Sequence, residues 1–193
     1  MSPRPRVFAV VLAAGESSRF GSTKQLTAID GEPLVGRAAH RAASVCGGNC
    51  VLVVGHDTRR VIAAAADRCR FLLVNDHYAE GMGTSVALAA RALSPVADAL
   101  LIVLADQPLV TAAHLGSLID AWSGDDDEIV ASRFDGTSGP PLLLPRRTFG
   151  DLRSLSGDRG ARALLNDDRF RLTAIDCDDA GVDVDTPEDL RRL

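Results

Sequence analysis

The sequence has no apolar run approaching the roughly 20 residues a bilayer-crossing helix needs, so no membrane-spanning segment is expected. It also lacks the pattern of a secretory leader. The basic start, residues 1–6, is followed only by the apolar stretch 7–14 before Gly15 and Glu16 end it. Positive charge is not in excess. The formal net charge is −5, and no basic stripe of the kind nucleic-acid binders carry is visible. The four cysteines, Cys46, Cys50, Cys69 and Cys177, follow no zinc or redox spacing and read as small buried thiols of a cytoplasmic protein. The histidines, His40, His56, His77 and His114, share no ligand spacing and belong to no nucleophilic triad. The longest charged run, Asp125-Asp126-Asp127-Glu128, is acidic and reads as a solvated loop before a strand. Internal repeats, linkers and low-complexity tracts are absent.

What remains is an ordinary globular composition. Of 193 residues, 46% are apolar and 24% charged, which suits one domain with a real core spanning 1–193. Short β-rich runs alternate with alanine-rich segments of helical spacing. Strands are expected over 7–12, 51–54, 70–74, 99–104, 129–133 and 171–176. Helices are expected over 34–44, 58–66, 84–93, 112–122 and 161–166, with a last one from Pro187. The run 99–104 is almost wholly apolar, as in a parallel strand covered on both faces. The alternation predicts a three-layer α/β/α domain with a Rossmann-like, mostly parallel sheet. After Ser138 the pattern loosens, because Pro140, Pro141 and Pro145 interrupt it.

Ligands of such sheets bind beyond the carboxyl ends of the strands. After the first strand the chain reads Leu12-Ala13-Ala14-Gly15-Glu16-Ser17-Ser18-Arg19-Phe20-Gly21-Ser22-Thr23-Lys24. Small residues at 13–15 allow close approach to the backbone, whose N–H groups form an anion nest. Arg19 and Lys24 add two cations suited to a triphosphate. This is not a P-loop, because Gly15 and Gly21 are one residue too far apart and Ser22 stands in the lysine position. The only Gly-x-Gly, Gly81-Met82-Gly83, has Val86 where a dinucleotide fingerprint needs its third glycine. Asn75 offers a donor and an acceptor suited to a base edge, while Thr84 or Ser85 suits a helix N-cap. Asp106 follows the strand 99–104. Thr186 and Pro187 suit a helix start, which leaves Asp183 and Asp185 unexplained.

The first loop resembles the signature Leu-Ala-Ala-Gly-x-Ser-x-Arg-x-Gly-x-x-Lys of nucleotidyltransferases. More narrowly, it is similar to the MobA/MocA-like group that makes the cytidine and guanine dinucleotide forms of the molybdenum cofactor. The resemblance continues in Asn75-Asp76-His77-Tyr78 through Gly81 and Ser85, in Asp106-Gln107-Pro108, and in Asp183-Val184-Asp185-Thr186-Pro187. It implies a fold of the nucleotide-diphospho-sugar transferase type and transfer of NMP from an NTP to the phosphate of molybdopterin. It implies a nucleotide site of Leu12, Ala13, Ala14, Gly15, Arg19, Lys24, Asn75, Gly81 and Ser85. Asp106 and Asp185 become the Mg²⁺ ligands, with Arg19 and Lys24 as catalytic cations and Asp183 as a supporting residue. Ala14 favours CTP over GTP, since the guanylyl enzymes usually carry glycine there. Pro140 stands where many relatives have histidine. The loop Gly157-Asp158-Arg159-Gly160-Ala161-Arg162 resembles another segment of the group. Two alternatives stay open: a sugar phosphate or alcohol phosphate as acceptor, and a non-catalytic accessory of a molybdenum hydroxylase client.

Overall fold

The computed structural model describes residues 5–17, 20–65, 67–158 and 160–193, with only the main chain at 192. Among the described residues nine strands form: β1 (Val7–Ala13), β2 (Ala28–Ile29), β3 (Glu32–Pro33), β4 (Cys50–Val54), β5 (Phe71–Val74), β6 (Ala99–Leu104), β7 (Glu128–Phe134), β8 (Thr137–Pro145) and β9 (Arg171–Asp176). The helices are α1 (Leu34–Cys46), α2 (Thr58–Ala65), α3 (Met82–Leu93), α4 (Ala112–Ala121) and the single turn α5 (Phe149–Leu152). Apart from the β2–β3 hairpin, the strands make one seven-stranded sheet in the order β5-β4-β1-β6-β8-β7-β9. Only β8 runs against the others.

Alternation along β1 explains the layers. Val7, Ala9, Val11 and Ala13 point to a core shared with α1, α2 and α4. Phe8, Val10 and Leu12 point to the opposite core, with α3, α5 and the 3-10 turn Ala161–Asn166. Both faces of the sheet are therefore covered, which is why its central strands read as continuous apolar runs. From β1 the chain winds outward to β4 and β5, then returns to add β6 on the other side of β1. The crevice at that switch point lies beyond the ends of β1 and β6.

Several expectations need correction. The interrupted stretch after Ser138 is β8, a strand whose Leu142, Leu143 and Leu144 are fully buried. Pro140 and Pro141 fall where the β7–β8 register shifts, between the pairs Ser132–Gly139 and Ala131–Leu142, so no ladder bond is lost to them. Residues 161–166 form a 3-10 turn rather than an α-helix, and the C-terminal helix is a 3-10 turn at Asp189–Arg192. α3 starts at Met82, ahead of the proposed caps Thr84 and Ser85. The acidic run is not wholly solvated: Glu128 opens β7 and is only 5% exposed. Of the thiols, only Cys50 is fully buried.

Candidate active site

The first loop folds back so that the 3-10 turn Lys24–Leu26 lies beside the end of β1. Gln25 holds that arrangement. Its Nε2 donates to the Gly15 carbonyl (2.9 Å), and its Oε1 accepts from the Ser17 hydroxyl (3.1 Å). The Ser17 oxygen accepts in turn from the Lys24 N–H (3.2 Å). Asp57, at the start of α2, accepts from the Thr23 hydroxyl (3.0 Å) and ties the loop to the next crossover.

Lys24 then reaches across the crevice. Its Nζ donates to Oδ2 of Asp106 at 2.7 Å and to Oδ1 of Asp185 at 2.9 Å. Burial acts to lower the Lys24 pKa, but the Asp106 carboxylate and then Asp185 outweigh it, so the pKa is raised and the ammonium stays charged. Asp185 belongs to the far end of the chain and is placed by local bonds. The Val184 N–H donates to the Asp106 carbonyl (2.9 Å), and Oδ2 of Asp189 accepts from the N–H groups of Asp185 and Thr186. Asp189 rather than Thr186 thus organises this turn. Asp183 is a third acid of the cluster. Although the residue as a whole is exposed, desolvation of its carboxyl by the surrounding protein, with the neighbouring Asp106 charge, pushes its pKa up to about 6.

Ser17, Lys24, Gln25, Asp106 and Asp185 line a cleft of about 400 Å³. Of the sequence-predicted residues, Leu12, Ala14, Gly15, Lys24, Gly81, Ser85, Asp106 and Asp185 face it. Arg19 lies outside the described residues. Ala13 does not line the cleft; it points into the opposite core with 2% exposure. Asn75 does not line it either. Both hydrogens of its amide go to the hydroxyls of Thr84 and Ser85 (2.8 Å each), and its oxygen accepts from the His77 N–H (3.0 Å). In this arrangement its polar atoms hold the entry to α3.

Residues assigned no individual role from sequence also shape the cleft. Tyr78, Met82 and Asp158 line it. Asp158 arrives because Gly157 packs on Gly81: the Gly83 N–H donates to the Gly157 carbonyl (2.9 Å), and a Cβ on Gly81 would lie 2.3 Å from the Gly157 carbonyl carbon. Gly81 also has φ 113°, so two constraints demand glycine there. Gln25, buried and lining the cleft, carried one usable signal: a polar residue next to Lys24 inside a glycine-rich turn.

The histidines add no chemistry. His77 pairs with Glu80 at the surface, and His114 contacts the hydroxyl of Ser132, which is fully buried and donates to the Pro141 carbonyl. Among the described residues no group of three or more His, Cys, Asp or Glu side chains is arranged to hold a metal ion. Asp106 and Asp185 still fit a hard divalent cation. They are a pair of oxygen donors already converging on one positive charge, and Mg²⁺ often takes only one or two carboxylates beside phosphate and water. No helix among the described residues is long and apolar enough to cross a membrane.

Residues 9–173 match the family model described as the MobA-like NTP transferase domain. The chain belongs to this family. It is a nucleotidyltransferase with the nucleotide-diphospho-sugar transferase fold. It is 32% identical to the nicotine blue oxidoreductase of Paenarthrobacter nicotinovorans, covering 98% of this chain and 97% of that one. It is 32% identical to the purine catabolism protein PucB of Bacillus subtilis, covering 96% and 94%. Among solved structures it is similar to Rv0371C of Mycobacterium tuberculosis in complex with manganese (29% identity, TM-score 0.77, 97% of each chain). Lys24 and Asp106 fall inside the matched region, whereas Asp185 lies beyond it and is brought to them by the fold.

Proposed function

We propose that this nucleotidyltransferase moves CMP from CTP to the phosphate of molybdopterin and releases pyrophosphate, with Mg²⁺ as its metal. The observation that carries the reading is the meeting of Lys24 with Asp106 and Asp185 on one side of a cleft floored by the Ala14-Gly15 backbone. A nucleoside triphosphate needs that combination. Backbone N–H groups and a lysine face its phosphates, and carboxylates face its metal.

Asp106 and Asp185 would hold the ion, which when bound neutralises charge on the α-phosphate and orients the attacking phosphate oxygen. The chain's own groups do the rest. The turn braced by Gln25 presents Gly15 to the triphosphate. Lys24 stabilises the departing pyrophosphate once the two carboxylates are otherwise satisfied. A phosphate acceptor is already ionised near neutral pH, so no general base is required. The manganese held by the Rv0371C relative supports a divalent metal. Ala14, 5% exposed and lining the cleft, supports CTP: a methyl at this position, against the glycine usual in the guanylyl enzymes, leaves less room for a large base.

Pyrophosphate release tests this, with Mg²⁺, molybdopterin and CTP, GTP, ATP or UTP supplied singly. Release with CTP supports the reading. Release with GTP changes the product to the guanine dinucleotide. Release only when a sugar phosphate replaces molybdopterin changes the acceptor, and silence throughout despite NTP binding points to an accessory.

A second reading is a redox enzyme, favoured by full-length similarity to a relative named as an oxidoreductase. The absence of a dinucleotide fingerprint at Gly81-Met82-Gly83 weighs against it. Oxidation of NADH or NADPH coupled to reduction of nicotine blue, without NTP, would establish it.

A further inference from the structure

β5 is one edge of the sheet, and it carries no polar side chain. Phe71, Leu72 and Val74 are 44%, 44% and 47% exposed. The other edge, β9, is guarded by charge: Arg171 opens it, and Asp176, paired with Arg133, closes it. An uncovered apolar edge strand is a template for pairing with another strand.

The direction of the free main-chain groups follows from one bond. The Asn75 N–H donates to the Val54 carbonyl (2.8 Å), so residues 71, 73 and 75 turn their backbone groups toward β4. Within the strand, Leu72 and Val74 therefore turn theirs outward, with Arg70 in the bend before β5 and Asp76 in the turn after it. The apolar strand is flanked by opposite charges, Arg70 before it and Asp76 after it. Arg70 lies over the Phe71 ring (5.7 Å), and among the described residues neither it nor Asp76 has an ion-pair partner.

We propose that β5 is a self-association surface on which two copies of this chain pair antiparallel across a two-fold axis. Three registers match the outward-facing groups: Leu72 on the partner's Leu72, Val74 on the partner's Val74, or Leu72 on the partner's Val74 with Leu73 on the axis. Only the last brings Arg70 opposite the partner's Asp76, and symmetry makes that pair twice, which selects it. A parallel pairing would set Arg70 beside the partner's Arg70. A second copy carries the complementary charges in the required order, which an unrelated strand would have to match independently. The strand is short against the about 800 Å² per partner of a standard interface, so the dimer is expected to dissociate in the micromolar range.

Sedimentation velocity of the full chain from about 1 to 100 μM tests this. The expected result is a monomer–dimer equilibrium. Leu72→Lys should leave only monomer, and Arg70→Asp should weaken association by about tenfold or more. Arg70→Asp combined with Asp76→Arg should restore it. Thermal melting of each variant separates lost pairing from lost folding. If Leu72→Lys unfolds, the charge-swap series decides alone. A monomer throughout the range overturns the proposal, as does a dimer indifferent to the charge reversal.

Discussion

The backbone N–H of Val184 donates to the carbonyl of Asp106 at 2.9 Å. This bond joins the segment after β6 to the C-terminal turn and sets Asp185 across from Asp106, with Lys24 between them. Because the bond uses main-chain atoms, the side chains can be changed without cutting the connection.

Asp106→Asn should therefore leave the fold intact while removing one metal-binding oxygen charge. Turnover is expected to fall by about a thousandfold, as when a dedicated charge-stabilising group is lost. Asp185→Ala should lower the rate and raise the Mg²⁺ concentration needed for half-maximal pyrophosphate release. An unchanged metal response for Asp185→Ala would transfer the role to Asp183.

Lys24→Ala removes the cation that offsets Asp106 and Asp185. NTP affinity and turnover should both fall, the latter by about a hundredfold. Retention of both in equilibrium binding and steady-state assays would remove Lys24 from the nucleotide site.

Gly15 separates the needs of the fold from those of the ligand. Its backbone is not in the left-handed region, and a Cβ there would meet only Gln25 Nε2, at 3.8 Å. Gly15→Ala should melt at the wild-type temperature yet raise the KM for CTP by about tenfold, because a methyl then stands where phosphate approaches the backbone. A normal KM would show that the ligand does not lie against Gly15.

Glu128 predicts a pH dependence of stability. Burial opposes ionisation, but the hydroxyl and N–H of Ser123, the hydroxyl of Thr173 and the charge of Arg171 outweigh it, holding the pKa down at about 2. A depressed folded-state pKa stabilises the protein above the ordinary glutamate range, and that contribution is lost as pH falls toward 2. Glu128→Gln should cost on the order of 2–3 kcal/mol at pH 7 by urea unfolding. The difference from wild type should shrink steadily from pH 5 to 3. A gap that stays constant over that interval would exclude the carboxylate as its source.

Much of this was legible in the order of residues. The strand 99–104 is β6 to the residue, and 171–176 is β9, because apolar periodicity and flanking turns are local signals. β8 was obscured because Pro140 and Pro141 mimic a loop, and only the register shift opposite Ala131 and Ser132 shows where they are tolerated. The hydrogen bonds of Asn75 were hidden for a related reason. Its amide suits a base edge or a hydroxyl equally, and the hydroxyls of Thr84 and Ser85 come within reach only when α3 begins at Met82. Glu128 was hidden in an acidic run, since its carboxylate is satisfied by Ser123 of the preceding loop and by Thr173 of β9, which only the sheet brings alongside.

The sequence by itself determined the family, the alternating α/β order and the glycine-rich loop, all of which are written in neighbouring residues at fixed spacing. Tertiary structure alone decided that Lys24 bridges Asp106 and Asp185, that Gly157 seats on Gly81, and that β5 is left at an edge with its apolar side chains outward. Those are distances between segments remote along the chain. They follow from how the sheet orders its strands and where each crossover returns, which no local pattern of residues encodes.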